Sequence, residues 1–147
     1  MSSAAAPEMV NNIGGALRER LAGIQVDPTS SAVPQWTGPK LFLLIDDYDM
    51  VGGTQGNPLL SLTEFLPQAR DIGLHVILSR AAGGAGRGMF DGVMQRIREM
   101  GSPGILLSGS KDEGALLGSV KMEPLPPGRG RLVQRRTGAR LVQTAHI

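Results

Sequence analysis

Two adjacent carboxylates, Asp46 and Asp47, follow an apolar run of five residues from Leu41 to Ile45. Uninterrupted apolar residues are typical of a strand buried on both faces of a parallel sheet. Acids at the C-terminal end of such a strand sit on fixed backbone, where the first can hold Mg²⁺ and the second can orient an attacking water. The pair therefore predicts catalytic roles for Asp46 and Asp47, with Asp46 as the metal ligand. Acidic residues also begin ordinary turns after apolar strands, and that alternative stays open for this pattern alone.

A second polar pair, Ser79 and Arg80, follows a second predicted strand, Leu74 to Leu78. Because parallel strands end at one edge of a sheet, both residues are expected beside the two carboxylates. There they are candidate cofactor-binding residues that sense a bound phosphate. His75, inside the same strand, has two interpretations: a core histidine with one satisfied hydrogen bond, or a further phosphate sensor.

The elements that must position these residues alternate between helices and strands. Val10, Ile13, Leu17 and Leu21 recur at helical spacing, and Pro58 to Arg70 predicts a second helix, which Pro67 should kink or shorten. This alternation predicts an α/β fold with parallel pairing in the middle and an antiparallel C-terminal hairpin. The remaining predicted elements are a flexible loop at Gly83–Gly88, a helix around Phe90–Met100, a strand at Gly104–Leu107, a brief helix at Asp112–Leu117, and hairpin strands at Gly130–Arg135 and Ala139–Thr144.

Length and composition set limits on the function. A chain of 147 residues with 41% hydrophobic content can bury one core, and its lack of cysteine excludes disulfides and thiolate metal sites. Its longest apolar run is far shorter than the roughly 20 residues that span a bilayer. The segment from Lys121 to Ile147 carries a net charge of +5, but no aromatic residues interleave its arginines as stacking platforms. A solvated basic surface is therefore favoured over a nucleic-acid site.

Longer segments resemble a known family. Ala69 to Arg80 resembles the FtsK/SpoIIIE pattern of a helix ending in Ala-Arg, then Gly-apolar-His, then a strand ending near a hydroxyl residue and Arg. Pro127 to Leu132 is similar to that family's late glycine turn. The closer resemblance, from Thr37 to Ile147, is to the last ATPase module of EccC, the motor of type VII (ESX) secretion. It is carried by Asp46–Asp49, Gly56–Leu59, Phe65–Arg70 and Gly109–Gly118.

The resemblance implies a partial P-loop NTPase sheet of the RecA/FtsK type, flanked by helices. The expected organisation is an N-terminal helical segment (1–26), a linker (27–39) and the C-terminal part of an FtsK/SpoIIIE-like ATPase domain (40–147). The implied function is a nucleotide-binding and substrate-recognition module that drives export of WXG100-type proteins, with ATP and Mg²⁺ as cofactors. The implied partners are a secreted helical WXG100-type substrate, other ATPase modules and membrane components of the secretion complex. The full motor is then oligomeric and cytoplasmic, peripheral to the cell membrane.

Three departures from the family pattern limit this transfer. No Gly-x-x-x-x-Gly-Lys-Ser/Thr occurs, so the Walker A half is missing and the isolated chain is expected to be an inactive ATPase. Asp47 stands where many translocases of the family use Glu. The arginine expected after the third strand is not evident in Lys111 to Gly118, and Arg96, Arg98 or Lys111 could replace it.

Two alternative functions stay open, the first allowed by the basic C-terminal segment. One is a fragment of an FtsK-like DNA translocase, although no DNA-reading winged-helix segment follows the last predicted strand. The other is a nucleotide-free protein-binding module, because the last EccC module is implicated in binding the C-terminal signal of WXG100-type substrates.

Overall fold

The computed structural model describes residues 5–24, 35–51 and 56–144 of the chain. Residues 27–34 of the predicted linker lie outside this range, so the division into segments 1–26, 27–39 and 40–147 stays a prediction. The chain separates into two compact units, Met1–Ser79 and Arg80–Ile147. Across the residues described, none of the helices combines the length and the apolar character that crossing a membrane requires.

Two helices form much of the core of the first unit. Helix α1 (Ala5–Gly23) buries Val10 and Leu17, as their spacing predicts, and it packs against a 3₁₀ helix, η2 (Pro58–Gln68). Arg18 of α1 bonds Glu64 of η2 at 3.1 Å. The other elements of this unit are β1 (Leu41–Ile45), the short 3₁₀ helix η1 (Tyr48–Met50), η2 (Pro58–Gln68) and β2 (Leu74–Leu78).

Helix η2 begins and ends at residues that favour those boundaries. Asn57 caps its first turn by accepting a hydrogen bond from the backbone N–H of Leu59, and proline occupies the first helical position. The predicted helix over Pro58–Arg70 therefore exists, but it is a 3₁₀ helix and ends at Gln68. Pro67 gives the physical reason for the early end, since it lacks the amide that would bond back to the preceding turn. Gly73, at φ 68°, then turns the chain into β2.

Strands β1 and β2 pair in parallel, as predicted, with Leu41 opposite Leu74 and Ile45 opposite Leu78. One face of this sheet carries the buried Leu43 and Leu74. The expectation that β1 is buried on both faces is wrong for the described residues, because Phe42 on the other face is 57% exposed.

Among the residues described, the second unit contains two α-helices, one 3₁₀ helix and five strands. Its two sheets are both antiparallel: β4 pairs with β5, and β6 lies between β3 and β7. The elements are α2 (Ala85–Gly88), α3 (Gly92–Glu99), β3 (Gly104–Leu106), the 3₁₀ helix η3 (Lys111–Glu113), β4 (Ala115–Leu117), β5 (Val120–Lys121), β6 (Arg129–Gln134) and β7 (Gly138–Gln143).

Some predictions for the second unit are confirmed and three are wrong. The terminal hairpin forms as β6 and β7 around a turn that ends at Gly138, and α3 buries Val93 and Met94. The predicted helix at Asp112–Leu117 is instead η3 followed by strand β4, because Gly114 adopts φ 78° and breaks the helix. The predicted flexible loop at Gly83–Gly88 contains the helical turn α2. Strand β3 pairs antiparallel with β6, although parallel pairing was predicted for the middle of the sheet.

Candidate functional site

The carboxylate of Asp46 and the hydroxyl of Ser79 meet where β1 and β2 end. Register pairs Ile45 with Leu78, so the next residue of each strand emerges at the same edge. Ser79 Oγ donates a hydrogen bond to Oδ1 of Asp46 at 2.5 Å, and the backbone N–H of Asp47 lies 3.2 Å from the same oxygen. Among the described residues, Oδ2 of Asp46 accepts no hydrogen bond. The edge therefore presents an exposed carboxylate that is oriented through one oxygen and accessible through the other.

Asp47 has an unusual backbone conformation at this edge. It adopts φ 48° and ψ 57°, in the left-handed region, and is the one non-glycine residue with positive φ among the described residues. Its backbone N–H also points toward Ser79 Oγ at 3.3 Å. The side chains of Asp46 and Asp47 are both exposed, so the sequence-predicted acids share a solvent-facing edge.

Tyr48 and Asn57 support this edge, and sequence reasoning gave neither of them a role. The backbone N–H of Tyr48 donates to the carbonyl oxygen of Ser79 at 2.8 Å, which ties the residue after the acids to the end of β2. The Tyr48 ring is buried, and its hydroxyl lies 2.5 Å from Nδ2 of Asn57, the residue that caps η2. The Asn-Pro pair before an apolar helical pattern is the signal that could have identified Asn57.

Arg80 belongs to the second unit, whereas the two carboxylates belong to the first. Its guanidinium lies directly against Gly88 of α2, so a Cβ at position 88 would overlap it. Its Nε is buried and has no hydrogen-bond partner among the described residues. A buried donor without a partner costs free energy, so this atom marks a place where a further acceptor would be stabilising.

Glu113 makes the most specific polar contact of the second unit. Its Oε1 accepts from the backbone N–H of Gly84 and its Oε2 from that of Gly86, each at 2.8 Å. These two amides, Gly86 first, together with the positive charges of Arg87 and Arg80, lower the pKa of the Glu113 carboxyl despite its partial burial. The sequence-predicted loop is therefore held by a carboxylate from η3, for which sequence offered no signal beyond a glycine-rich stretch.

The other candidates from the sequence, His75 and the basic C-terminal segment, each contact neighbouring side chains. His75 is half-buried and stacks on Phe42, with ring centroids 4.6 Å apart and planes 13° apart. In the basic C-terminal segment, Arg131 forms a 2.6 Å ion pair with Glu123. Among the described residues, no group of three or more histidine, aspartate or glutamate side chains is arranged to hold a metal ion.

Comparison with known proteins finds relatives among ESX secretion system proteins. The chain is 53% identical to the ESX secretion system protein EccC of Thermomonospora curvata over 146 residues, covering 99% of this chain and 11% of that protein. It is 49% identical to the ESX-4 secretion system protein EccC4 of Mycobacterium tuberculosis, covering 75% of this chain and 9% of that protein. The chain thus spans about a tenth of the length of these curated relatives. No family model matches it.

Solved structures agree with the sequence relatives. The cytoplasmic domain of the T. curvata type VII secretion ATPase EccC matches with a TM-score of 0.86 and 50% identity, over 99% of this chain and 17% of that one. T. curvata EccC (ATPases 2 and 3) in complex with a signal sequence peptide also matches with a TM-score of 0.86, at 52% identity, over 99% of this chain and 26% of that one. With high identity over nearly its whole length and the same fold, this chain corresponds to a segment of the EccC proteins of ESX secretion systems.

Proposed function

We propose that this chain is the C-terminal part of an FtsK/SpoIIIE-like ATPase module in a type VII secretion motor, where it recognises the secreted substrate. The observation that carries the proposal is the 53% identity to an EccC protein over 99% of the chain. A related EccC segment is known in complex with a signal sequence peptide, which supports peptide recognition as a role for this fold. The proposed partner is a helical WXG100-type protein, and the proposed location is the cytoplasmic side of the membrane complex.

Nucleotide binding by the complete motor is the second part of the proposal. The edge formed by Asp46, Asp47 and Ser79 fits a magnesium ion, because carboxylate and hydroxyl oxygens are the hard ligands that Mg²⁺ prefers. Asp46 would hold the ion and Ser79 would orient that carboxylate, as its 2.5 Å hydrogen bond does already. When bound, Mg²⁺ neutralises charge on the transferring phosphate. Asp47 would then position water.

Arg80 is proposed as a phosphate contact on separate grounds. Its buried Nε has no partner among the described residues, and a phosphate oxygen would satisfy it. The sequence, however, has no Walker A pattern, which would supply backbone amides and a lysine to the β and γ phosphates. We therefore expect the isolated chain to bind nucleotide weakly and to hydrolyse none.

Calorimetry with two ligands tests these roles. A synthetic peptide carrying the C-terminal signal of a WXG100-type protein and Mg-ATP would each be titrated into this chain and into the T. curvata EccC cytoplasmic domain. We expect the chain to bind the peptide but to bind Mg-ATP only weakly, and the longer protein to bind both. Absence of peptide binding to the chain would overturn substrate recognition. Absence of Mg-ATP binding to the longer protein would count against the nucleotide role.

A DNA translocase remains a second candidate because the segment from Lys121 onward is basic. Fluorescence anisotropy with a labelled 30-base-pair duplex at two salt concentrations would test it, since phosphate contacts release counterions and weaken with salt. Salt-sensitive binding that Arg129→Gln and Arg140→Gln reduce would favour DNA. Binding of the signal peptide with little salt dependence would favour secretion.

A further inference from the structure

The C-terminal strand β7 forms an open edge of its sheet. Among the residues that the structure describes, β6 lies between β3 and β7, and β7 pairs with β6 alone. Within β7, Arg140 is exposed and Leu141 is 52% exposed. An edge strand presents unpaired backbone N–H and C=O groups, which can pair with a further strand. The outer edge of β7 is therefore a place where the sheet can be extended.

The register of the hairpin identifies which backbone groups of β7 are free. One step beyond the ladder of β6 and β7, Thr144 donates its N–H to the carbonyl oxygen of Gly128 at 2.6 Å. Hydrogen-bonded and non-hydrogen-bonded pairs alternate along an antiparallel ladder. The N–H and C=O groups of Arg140 therefore point toward β6, whereas those of Ala139 and Leu141 point away from it.

The two faces of β7 differ in chemistry. Leu141 lies opposite Arg131 on one face, and Arg140 lies opposite Leu132 on the other. The Arg140 guanidinium donates to the neutral side-chain oxygen of Gln134 at 3.1 Å and forms no ion pair within the described part of the chain. A strand added at this edge would place one row of side chains beside Leu141 and the other beside Arg140. Cross-strand neighbours of this kind favour an apolar residue in the first row and an acidic residue in the second.

The charge of the hairpin distinguishes a second copy of this chain from a different partner. Five arginines and no acidic residue lie between positions 124 and 147. If two copies paired antiparallel around Leu141, their Arg140 side chains would be diagonal neighbours on one face, and like charges across strands are destabilising. Arginine at this edge thus opposes self-pairing, as charged edge residues do in other sheets. A strand with acidic side chains meets attraction instead of repulsion.

We propose that the outer edge of β7 binds an extended acidic peptide segment of another protein as an antiparallel fourth strand of this sheet. The peptide backbone would pair with the free groups of Ala139 and Leu141, which provides affinity, and its alternating side chains would provide specificity. Apolar residues would lie beside Leu141 and acidic residues beside Arg140. The proposal does not rest on the secretion role, because an extended strand and a helical signal are recognised in different ways.

Amide hydrogen exchange, measured by NMR, tests the proposal with a blocked seven-residue peptide that alternates valine and glutamate. Because only the unbound state exchanges, peptide at about ten times its dissociation constant should slow exchange of the Ala139 and Leu141 amides about tenfold. The Arg140 amide, which already faces β6, should change by less than about twofold. A non-specific electrostatic contact would not produce this alternation. No slowing with up to about 1 mM peptide would overturn the proposal.

Modified peptides separate backbone pairing from charge. Valines beside Leu141 would direct their N–H groups toward β7, so N-methylation of the valines should abolish the protection, whereas N-methylation of the glutamates should preserve it. Replacing the glutamates by lysines should weaken binding about tenfold or more, because like charges then meet at the edge. Equal binding of the valine-methylated peptide would overturn strand addition, and equal binding of the lysine peptide would overturn the preference for acids.

Variants of the chain assign the binding to β7. Leu141→Pro removes an outward N–H, which proline tolerates on an edge strand, and should abolish peptide binding. Arg140→Gln should weaken it about threefold, and Arg98→Gln, which removes an exposed arginine from α3, should leave it unchanged. The modified peptides use the unaltered chain, so the test stands even if Leu141→Pro does not fold. Protection of the Ala139 and Leu141 amides that grows with the concentration of the chain alone would assign the edge to a second copy and overturn the proposal.

Discussion

At the scale of single residues, Glu113 shows how one carboxylate organises a glycine-rich segment. Both of its oxygens accept backbone N–H groups, those of Gly84 and Gly86, whose first-turn position leaves them without intrahelical partners. Only an ionised carboxylate offers both oxygens as acceptors without carrying a proton. The contact is therefore specific for charge as well as for shape.

The pH dependence of this contact is the first prediction. The folded state lowers the pKa of Glu113, so its stabilising effect is complete above the unfolded value of about 4.3 and is lost as pH falls through the lower folded value. We expect the amides of Gly84 and Gly86 to lose protection from hydrogen exchange in that acidic window. Exchange measured by NMR between pH 6 and pH 3 would check this.

Substitution separates this contact from general acid unfolding. Glu113→Gln should speed exchange of both amides already at pH 6, and Glu113→Ala should speed it further. Glu19→Gln, at an exposed position of α1, is the matched control and should change neither amide. Equal protection in wild type and Glu113→Gln would contradict the role assigned to the charge.

Residue types indicated some of the candidate site and not the rest. Asp46, Asp47 and Ser79 were predictable because apolar runs define strand ends, and parallel register brings those ends together. Glu113 was not, because a contact across 27 residues to backbone amides has no local sequence signature. The orphaned Nε of Arg80 depends on packing against Gly88, which spacing alone cannot reveal.

At the scale of elements, η2 depends on its cap. Asn57→Ala removes the acceptor for the Leu59 amide and one hydrogen-bond partner of the Tyr48 hydroxyl. We expect the free energy of unfolding to fall by about 1–2 kcal/mol, as for other lost caps. Urea unfolding followed by circular dichroism measures it. Ser61→Ala, which removes an exposed hydroxyl in the same helix, should stay within about 0.5 kcal/mol.

The close approach of α2 to η3 gives a second prediction at this scale. A Cβ at Gly86 would lie 2.4 Å from the carbonyl oxygen of Glu113, whereas a Cβ at Gly83 would meet nothing within 4 Å. Gly86→Ala should therefore destabilise the chain by about 1–3 kcal/mol, because backbone must move. Gly83→Ala is the control. Equal stabilities of the two variants in urea would show that α2 and η3 do not meet closely in solution.

Element types were predictable where local pattern and tertiary contacts agree. Strand β1 and helix α3 follow from their apolar spacing, and the β6–β7 hairpin from its glycine turn. The segment from Ala115 to Leu117 was misjudged because its apolar residues fit either a helix or a short strand. Hydrogen bonding to β5 stabilises the strand instead of the helix.

At the scale of the whole molecule, the few aromatic side chains differ widely in how deeply they are buried. Of its three phenylalanines, Phe65 is 2% exposed and Phe90 is 77% exposed. Phe65→Ala should lower the free energy of unfolding by about 3–5 kcal/mol through lost burial and the resulting cavity.

Phe90→Ala is the matched control for that experiment and should stay within about 0.5 kcal/mol. Thermal unfolding of both variants measures the difference. A large loss for Phe90→Ala would mean that this side chain is covered in solution, and a small loss for Phe65→Ala would contradict the core assigned to the first unit.

The mixed α/β class was predictable from alternating elements, whereas the number of separate sheets depends on long-range pairing that periodicity does not encode.

The left-handed backbone of Asp47 restricts which side chains this edge of the sheet can present. Left-handed conformations favour glycine, asparagine and aspartate, whose side chains are absent or short enough to avoid local clashes. A longer or β-branched side chain at position 47 would therefore strain the turn that follows β1. The main chain thus helps to select a short acid at this position.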